Sequence, residues 1–252
     1  MFYKKIKNHS LSNCLKDSIR DIWTHSSTAI EGNTLSLGET AFVLNEGLTI
    51  SGKKISEHNE IIGHSKAITI LYDLISEKQP LTENVLFDLH KAIMLNPVID
   101  VQAPVGKWKI ESNFTQLIND DNKIEYKEYP KPNEIPCLMN SWFNLFNAIS
   151  NEEPLIQYAK LHISFGSIHP FADGNGRIAR LIANIPVLQN GLVPITISNN
   201  NRKEYIHLLQ YSKVDKDLNI VKGLDEFIKF VKKEWLLSQE LFTQAIEKSE
   251  SN

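Results

Sequence analysis

The sequence has few of the features that build disulfide frameworks or membrane spans. Its 252 residues include only two cysteines, Cys14 and Cys137, which favours free thiols in a reducing compartment over a disulfide framework. No apolar run reaches the roughly 18 residues that a membrane helix needs, and residues 1–10 do not resemble a signal peptide. We therefore expect a cytoplasmic protein with no membrane partner.

An excess of one charge sign is also absent. Lys and Arg number 27 against 30 Asp and Glu, a formal net charge of −3, and no basic block occurs in the sequence. This balance argues against a nucleic-acid partner. With 42% hydrophobic and 23% charged residues, the composition is that of a globular protein long enough to bury a substantial core.

The most informative stretch is HPFADGNGRIAR, residues 169–180. Residues 154–168 before it carry a single charge, and their apolar positions predict a helix that is buried on nearly all sides. Pro170 disfavours the α conformation at His169, so this helix should end there. Apolar residues recur at helical spacing again from Ile178 to Ile185, and Gly191 predicts the end of that second helix. The stretch is therefore predicted to be a loop between two core helices.

The residue types of this loop suit a polyphosphate. Gly174 and Gly176 permit positive φ and close approach of a ligand to backbone amides, which form an anion site at a helix N-terminus. Arg177 and Arg180 are three residues apart, so both guanidinium groups are expected on one face of the first helical turn. Two cations there oppose the helix dipole unless an anion lies between them.

Two further side chains of the loop suggest catalysis. Asp173 is its only carboxylate and is predicted to hold Mg²⁺ while phosphates supply other oxygens. His169, expected to titrate near neutrality, is the candidate general base. Taken singly, these residues also fit a hairpin turn, a structural histidine and a solvated arginine pair. The helical periodicity on both sides argues against the hairpin turn.

Taken together, the loop resembles the signature of the Fic (filamentation induced by cAMP) family, HPFx[DE]GNGRxxR, with no departure. The resemblance covers about residues 11–235. It implies an all-α Fic fold, a helical bundle with one β-hairpin called the flap. It also implies protein adenylylation, in which a Ser, Thr or Tyr hydroxyl of a target protein attacks the α-phosphate of ATP and releases pyrophosphate.

The resemblance gives several loop residues a role. It makes His169 the base that deprotonates the target hydroxyl, and Asp173 the Mg²⁺ ligand. It places Asn175 and the amides of Gly174 and Gly176 around the phosphates. These roles agree with phosphoryl-type transfer, which needs mainly positioning and charge neutralisation.

The resemblance also implies contacts for three residues further along. Arg177 is similar to the family's β-phosphate contact, and Arg180 to its γ-phosphate contact. Residues 202–211 resemble the helix beside the nucleotide base, where Tyr205 is the candidate neighbour of adenine. ATP is therefore the implied substrate and Mg²⁺ the implied cofactor.

A second motif lies upstream, at the end of a helix predicted over about residues 11–31. Gly32 fits an ordinary left-handed helix cap. Glu31, however, opposes the helix dipole in the last turn and needs a positive partner. Ser27-xxx-Glu31-Gly32 matches the inhibitory motif [ST]xxxE[GN] of many Fic proteins. In those proteins the glutamate pairs with the second arginine of the signature, here Arg180, which implies autoinhibition.

The remaining sequence predicts more helices and one hairpin. Helices are expected at about residues 57–78, 82–94, 135–150, 202–211 and 224–247, and a capping box at Ser36 begins another. Residues 108–129, with a turn cluster at 119–122, predict a β-hairpin. It lies where Fic proteins carry the flap, about residues 106–130, which registers the target as an added strand.

Domain organisation follows from the same pattern. Residues 1–35 are predicted to form an N-terminal region with the inhibitory helix, and residues 36–252 the Fic core and C-terminal helices, in one continuous domain. His58, His64 and His90 have no carboxylate or cysteine at ligand spacing, so we expect ordinary surface or core histidines.

Several functions remain open at this point. The same site could remove AMP from a modified protein with Glu31 aligning a water, or transfer another phosphate-linked group. It could also be a nucleotide-sensing binding module, although such a module needs no base and His169 argues against it. The target protein is unidentified, and the oligomeric state is open, with a homodimer as one candidate.

Overall fold

The computed structural model describes residues 13–95, 103–118 and 124–250. Within these ranges the fold is a helical bundle with two small β-ribbons. The helices are α1 (Asn13–Ile30), α2 (Leu37–Glu46), α3 (Ile55–Ser76), α4 (Glu83–Ile93), α5 (Ile135–Ala148), α6 (Pro154–Ile168), α7 (Asn175–Ile182), α8 (Asn184–Gln189), α9 (Arg202–Tyr211) and α10 (Leu224–Glu250). The strands are β1 (Phe114–Ile118), β2 (Ile124–Glu128), β3 (Lys213–Val214) and β4 (Ile220–Lys222).

Helix α6 lies at the centre of the bundle. It packs against α5, α7, α8 and α10, and its residues are buried on several sides, as the sequence predicts. The indole of Trp142 on α5 donates to the Leu161 carbonyl across 3.2 Å. This helix fixes where the loop at residues 169–174 starts, because its last turn belongs to the main core.

The predicted helices begin and end within three residues of the observed bounds, with one exception. The helix expected to run unbroken to Gly191 is instead divided at Ala183 into α7 and α8. Pro186 explains the break, since it has no amide proton and its ring clashes with the carbonyl four residues earlier. Gly191 ends the second part with a φ of 75°, as predicted.

Local capping explains how α1 and α2 meet. Gly32 follows α1 with a φ of 104°, a conformation that glycine adopts at little cost. Ser36 then starts α2 with the predicted capping box: its hydroxyl accepts from the Glu39 amide, and the Glu39 carboxylate accepts from the Ser36 amide at 2.7 Å. Helix α1 packs against α2, α3, α7 and α10. The boundary proposed at residue 35 stays a prediction.

The predicted hairpin is present as β1 and β2, paired antiparallel from Phe114 opposite Glu128 to Ile118 opposite Ile124. Its turn cluster at 119–122 lies outside the described residues. A second antiparallel ribbon, β3 with β4, was not predicted. Its strands are too short to show an alternating pattern, and its turn is held by Asp215, which accepts from the amides of residues 217 and 219.

The hairpin is attached to the central loop through the backbone. The Lys109 amide donates to the Pro170 carbonyl at 2.9 Å, and the Asn113 side chain donates to the Phe171 carbonyl at 3.0 Å. Tyr129 donates its amide to the Asn113 carbonyl at 3.1 Å. The hairpin and the loop therefore lie side by side. None of the helices in the described part of the chain has the length and apolar character of a membrane span.

Candidate active site

A cavity of about 250 Å³ lies where α6, α7 and α9 meet the end of α1 and the hairpin. Six of the residues singled out from the sequence line it: Glu31, His169, Asn175, Gly176, Arg180 and Tyr205. The other five are not among its lining residues: Ser27, Gly32, Asp173, Gly174 and Arg177. Lining residues that were not predicted include Thr115, Lys127, Tyr129 and His162.

His169 ends α6 in a left-handed conformation, with φ 52° and ψ 59°. A non-glycine residue held there costs on the order of 1–3 kcal/mol, and such strain is concentrated at functional sites. The backbone amide still donates to the Phe165 carbonyl at 3.0 Å. The imidazole stacks on Tyr129, with ring centroids 3.9 Å apart and planes inclined by 13°. This stack fixes the orientation of the ring beside the hairpin.

The expectation that His169 titrates near neutrality is wrong. Burial, helped by the positive charge of Lys109, lowers the pKa of His169 to about 4, while a hydrogen bond to the Gly166 backbone acts in the opposite direction. Lys127 adds to the lowering. The imidazole is therefore neutral throughout the physiological pH range and can accept a proton. The sequence pattern missed this because neither the burial of the ring nor the approach of the lysines is local in sequence.

Asn175 stabilises the loop from inside. Its side-chain oxygen accepts from the Phe171 amide at 2.9 Å, and its side-chain nitrogen donates to the Phe171 carbonyl at 2.8 Å. The residue is buried. Its amide group is thus engaged with the loop backbone, and its predicted phosphate contact stays a prediction.

His90 on α4 holds the loop from outside, a role that the sequence did not reveal. Its Nε2 lies 3.1 Å from the Asp173 carbonyl, and its Nδ1 accepts from the Gly106 amide at 2.8 Å. The ring also stacks on Phe171 at 3.9 Å. The amide can only donate and the carbonyl can only accept, so the proton is assigned to Nε2. Burial lowers the pKa of His90 to about 4, which agrees with a neutral ring.

Asp173 and Arg177 lie on the side of the loop nearest α4. The Asp173 side chain is 71% exposed, and its Oδ1 accepts from the Gly174 amide at 2.6 Å. Arg177 is buried, with Nη2 3.6 Å from both Asp173 Oδ2 and the Met94 sulfur. Its buried Nε has no hydrogen-bond partner within the described chain. A buried unpartnered donor beside an exposed carboxylate is suited to a bound anion and its counterion.

The Arg180 guanidinium group contacts different residues from that of Arg177. Its Nε donates to the Ser27 hydroxyl at 3.1 Å, and its Nη2 donates to the Ser27 carbonyl at 2.8 Å and to Glu31 Oε1 at 2.6 Å. Its Nη1 lies 3.3 Å from the Tyr205 hydroxyl. The two guanidinium groups therefore have different neighbours, and their predicted sharing of one anion stays a prediction.

The ion pair between Glu31 and Arg180 joins residues 149 positions apart. Burial alone would raise the pKa of Glu31, but the charge of Arg180 and its hydrogen bond hold it below the ordinary value. A Cβ placed on Gly176 would lie 2.5 Å from Glu31 Oε1. The carboxylate therefore lies directly over the first turn of α7, where an anion would approach the backbone amides.

Tyr205 is almost fully buried behind Arg180. Its hydroxyl contacts Arg180 and lies 2.8 Å from His162 Nε2. Its ring packs against Phe227 and Phe230, with centroids 6.4 and 6.2 Å away. Its predicted place beside adenine stays a prediction. The contact with Arg180 was not foreseen.

The donor set near Asp173 fits Mg²⁺. No group of three or more acidic, His or Cys side chains suited to a metal occurs among the described residues, so a cage made only of protein ligands is absent from that part. Mg²⁺ is commonly held by one or two carboxylates together with substrate phosphates and waters. The exposed oxygen of Asp173, close to the loop amides, offers one such ligand.

Comparison with known proteins identifies the family. Residues 80–186 match the Fic/DOC family model. Protein adenylyltransferase fic-1 of Caenorhabditis briggsae is 30% identical over 233 residues, 92% of this chain and 43% of that protein. Protein adenylyltransferase Fic of Drosophila grimshawi is 31% identical over 188 residues, 74% of this chain and 36% of that protein. The chain spans less than half the length of the curated relatives it matches.

Solved structures agree with this result. A Fic domain containing signaling protein from Bacteroides thetaiotaomicron superposes with a TM-score of 0.80 at 26% identity, covering 100% of this chain and 96% of that one. A C. elegans Fic-1 structure (residues 134–508) gives 0.72 at 26% identity, with 99% and 70% covered. The fold and the loop thus define a Fic-type domain, and residues 80–186 of the chain match the Fic/DOC family.

We predict that the fold loses stability as pH falls from about 6.5 towards about 4. Burial lowers the pKa of His64 and His162 to about 3, and of His90 and His169 to about 4, from 6.5. Between these values the unfolded chain binds protons that the folded chain cannot, so unfolding is favoured as pH falls. Each group contributes up to about 1.4 kcal/mol per pH unit.

Urea unfolding of the wild type and a His64→Leu variant at pH 8, 6 and 5 tests this. His64 is buried with Nδ1 3.4 Å from Thr24. The variant should lose less free energy of unfolding between pH 6 and 5, because one titrating group is gone. The difference isolates His64 from carboxyl groups that titrate in the same range. Equal losses in both proteins would contradict the buried neutral histidine.

Proposed function

We propose that this chain is a protein adenylyltransferase, which moves AMP from ATP to a Ser, Thr or Tyr hydroxyl of another protein. The observation that carries this proposal is a single cavity lined by the neutral His169 imidazole, the first turn of α7 and the Arg180 guanidinium. The named relatives, which are protein adenylyltransferases, support it further. A base opposite an anion site is what adenylyl transfer to a hydroxyl requires.

The proposed reaction transfers one proton, forms one bond and breaks another. The target hydroxyl gives its proton to the neutral imidazole of His169, whose orientation is set by the stack on Tyr129. The hydroxyl oxygen forms a bond to the α-phosphorus. The bond between that phosphorus and the bridging oxygen of the β-phosphate breaks, and pyrophosphate leaves. The amides at the start of α7 and the two arginines hold the phosphates in line for this displacement.

Mg²⁺ would be held by Asp173 and would neutralise charge on the phosphates. Arg177 is suited to the β-phosphate, since its buried Nε lacks a partner in the described chain. Arg180 is suited to the γ-phosphate, and Lys127 lies on the hairpin wall of the cavity. The hairpin is placed to add the target's backbone as a strand beside His169.

In this proposal Glu31 keeps the enzyme inactive. Its carboxylate binds the guanidinium group that the γ-phosphate would bind, and the same carboxylate lies over Gly176. ATP could then bind only with its α-phosphate misaligned for the hydroxyl. A charged hydrogen bond contributes about 1.5–3 kcal/mol, so the inactive state should dominate yet remain within reach of a partner or a change in assembly.

Removal of AMP from a modified protein is the second candidate. The position of Glu31 in the cavity wall favours it, because a carboxylate there could align an attacking water. Release of labelled AMP from a modified protein by the wild type, but not by Glu31→Gly, would support this reaction. A binding module without turnover would take up ATP and label no protein.

We predict that His169→Ala abolishes transfer and leaves ATP binding nearly intact, because the imidazole takes a proton and holds no phosphate. Removal of a general base costs on the order of 10²–10⁴ in rate. The measurement is protein labelling from α-labelled ATP in a Glu31→Gly background, with ATP affinity measured by calorimetry. His207→Ala, at an exposed position on α9, is the control and should keep its activity. Loss of ATP binding in His169→Ala would remove the assigned role.

We predict that Glu31→Gly raises protein labelling roughly ten- to hundredfold, the equivalent of one charged hydrogen bond. The combination of Glu31→Gly with Arg180→Ala should not raise protein labelling, because Arg180→Ala removes the guanidinium group that Glu31→Gly frees. Label should appear from the α position of ATP and not from the γ position, which separates AMP transfer from kinase chemistry. The assay uses the purified chain alone and a lysate of the source cell.

The chain offers a matched control for this variant. Glu46 also stands directly before a left-handed glycine, Gly47, but is exposed at the end of α2. Glu46→Gly should therefore leave labelling at the wild-type level. If Glu31→Gly behaves like Glu46→Gly on every substrate tried, Glu31 is only a helix-end residue and the inhibitory role is wrong.

A further inference from the structure

A buried chain of polar side chains runs from the cavity into the core behind Arg180. Arg180 Nη1 lies 3.3 Å from the Tyr205 hydroxyl, and that hydroxyl lies 2.8 Å from His162 Nε2. All three residues are almost fully buried. The transfer chemistry described above makes no use of His162 or of the Tyr205 hydroxyl.

The proton positions in this chain follow from donor chemistry. The Arg180 guanidinium has no acceptor, so it must donate to the Tyr205 oxygen. The single hydroxyl proton is then left for His162 Nε2, which must be the unprotonated ring nitrogen. Burial, together with the charge of Arg180, lowers the pKa of His162 to about 3 and keeps the ring neutral. The direction of donation is therefore from Arg180 to Tyr205 to His162.

The hydrogen bond to Tyr205 and the other contacts of Arg180 come from different helices. The contacts to the Ser27 hydroxyl, the Ser27 carbonyl and Glu31 all end on α1 or on the residue just after it. The contact to Tyr205 comes from α9. If the end of α1 withdraws, Nε and Nη2 lose the partners described here and Nη1 keeps its own.

The support behind Tyr205 belongs to the main core. The Tyr205 ring packs against Phe230 at 6.2 Å, and His162 on α6 stacks on Phe227 at 5.5 Å with planes inclined by 12°. A buried guanidinium with one neutral partner is unstable until an anion joins it. Held at Nη1, it presents Nε and Nη2 to whatever anion replaces Glu31.

We propose that Tyr205 and His162 are positioning residues that hold the Arg180 guanidinium when the end of α1 withdraws, so that the site selects a nucleoside triphosphate over a diphosphate. The proposal rests on the proposed function, in which Arg180 meets the terminal phosphate. A triphosphate reaches the prepared guanidinium group and a diphosphate does not. Selectivity between the triphosphate and the diphosphate therefore depends on the Tyr205 hydroxyl, whereas binding of the adenine base does not.

The test is the affinity of Glu31→Gly protein for the α,β-methylene analogues of ATP and ADP, which the transfer reaction cannot cleave. Adding Tyr205→Phe should weaken binding of the ATP analogue about tenfold, the loss of one hydrogen bond to a charged group. Binding of the ADP analogue should change less than about twofold. Calorimetry gives both values without relying on activity.

Two sets of variants separate this role from simple core damage. Tyr158 is a matched control, because it is buried and stacks on His162 while its hydroxyl has no hydrogen-bond partner in the described chain. Tyr158→Phe should leave both affinities unchanged. His162→Phe should lose selectivity for the ATP analogue, and His162→Gln, which keeps an acceptor, should restore most of it.

The outcomes are distinct. Equal weakening of both analogues by Tyr205→Phe would mark a general binding or base contact and would overturn the proposal. Unchanged affinities, or equal effects of Tyr158→Phe, would overturn it as well. In those cases adenylyl transfer itself could still be observed by labelling. If the Glu31→Gly protein binds neither analogue, the proposed function fails together with this inference.

Discussion

The buried positive charge of Arg180 is the constraint on which the site depends. Its side chain is 4% exposed, and an ionised group removed from water to that degree costs several kcal/mol unless it is paired and hydrogen-bonded. Burial would lower the pKa of Arg180, but Glu31 keeps it raised. In the proposed function the end of α1 and the binding of a terminal phosphate are therefore linked, because both concern the same guanidinium group.

This linkage makes the end of α1 a natural control point. The carboxylate of Glu31 satisfies Arg180 and covers the first turn of α7 at the same time. Any event that moves α1 exposes a charge and an anion site together. A ligand shifts an equilibrium between two states only by its difference in affinity for them. Under the proposed function, a triphosphate favours the state in which Glu31 has left Arg180, and a monophosphate does not. Behind Arg180, Tyr205 packs against Phe227 and Phe230 on α10, and these contacts can keep the guanidinium in place when the end of α1 moves.

The sequence was most informative where structure is local. Apolar periodicity predicted α6, the capping box predicted the start of α2, and resemblance to a family motif predicted that Glu31 and Arg180 meet. The pKa of His169 was mispredicted, since it depends on burial and on lysines that are distant in sequence. Two contacts were missed for the same reason. The hydrogen bond from His90 to Asp173 joins residues 83 positions apart, and that between His162 and Tyr205 joins residues 43 positions apart. Contacts at such separations leave no pattern in one sequence.

The central claim is that Glu31 and a terminal phosphate compete for one guanidinium group. The most direct measurement compares the affinities of the wild type and Glu31→Gly for AMP and for the α,β-methylene analogue of ATP. Competition predicts that Glu31→Gly binds the triphosphate analogue about tenfold or more tightly than the wild type, while AMP affinity changes by less than about threefold. An equal gain for both nucleotides, or no gain for either, would contradict it.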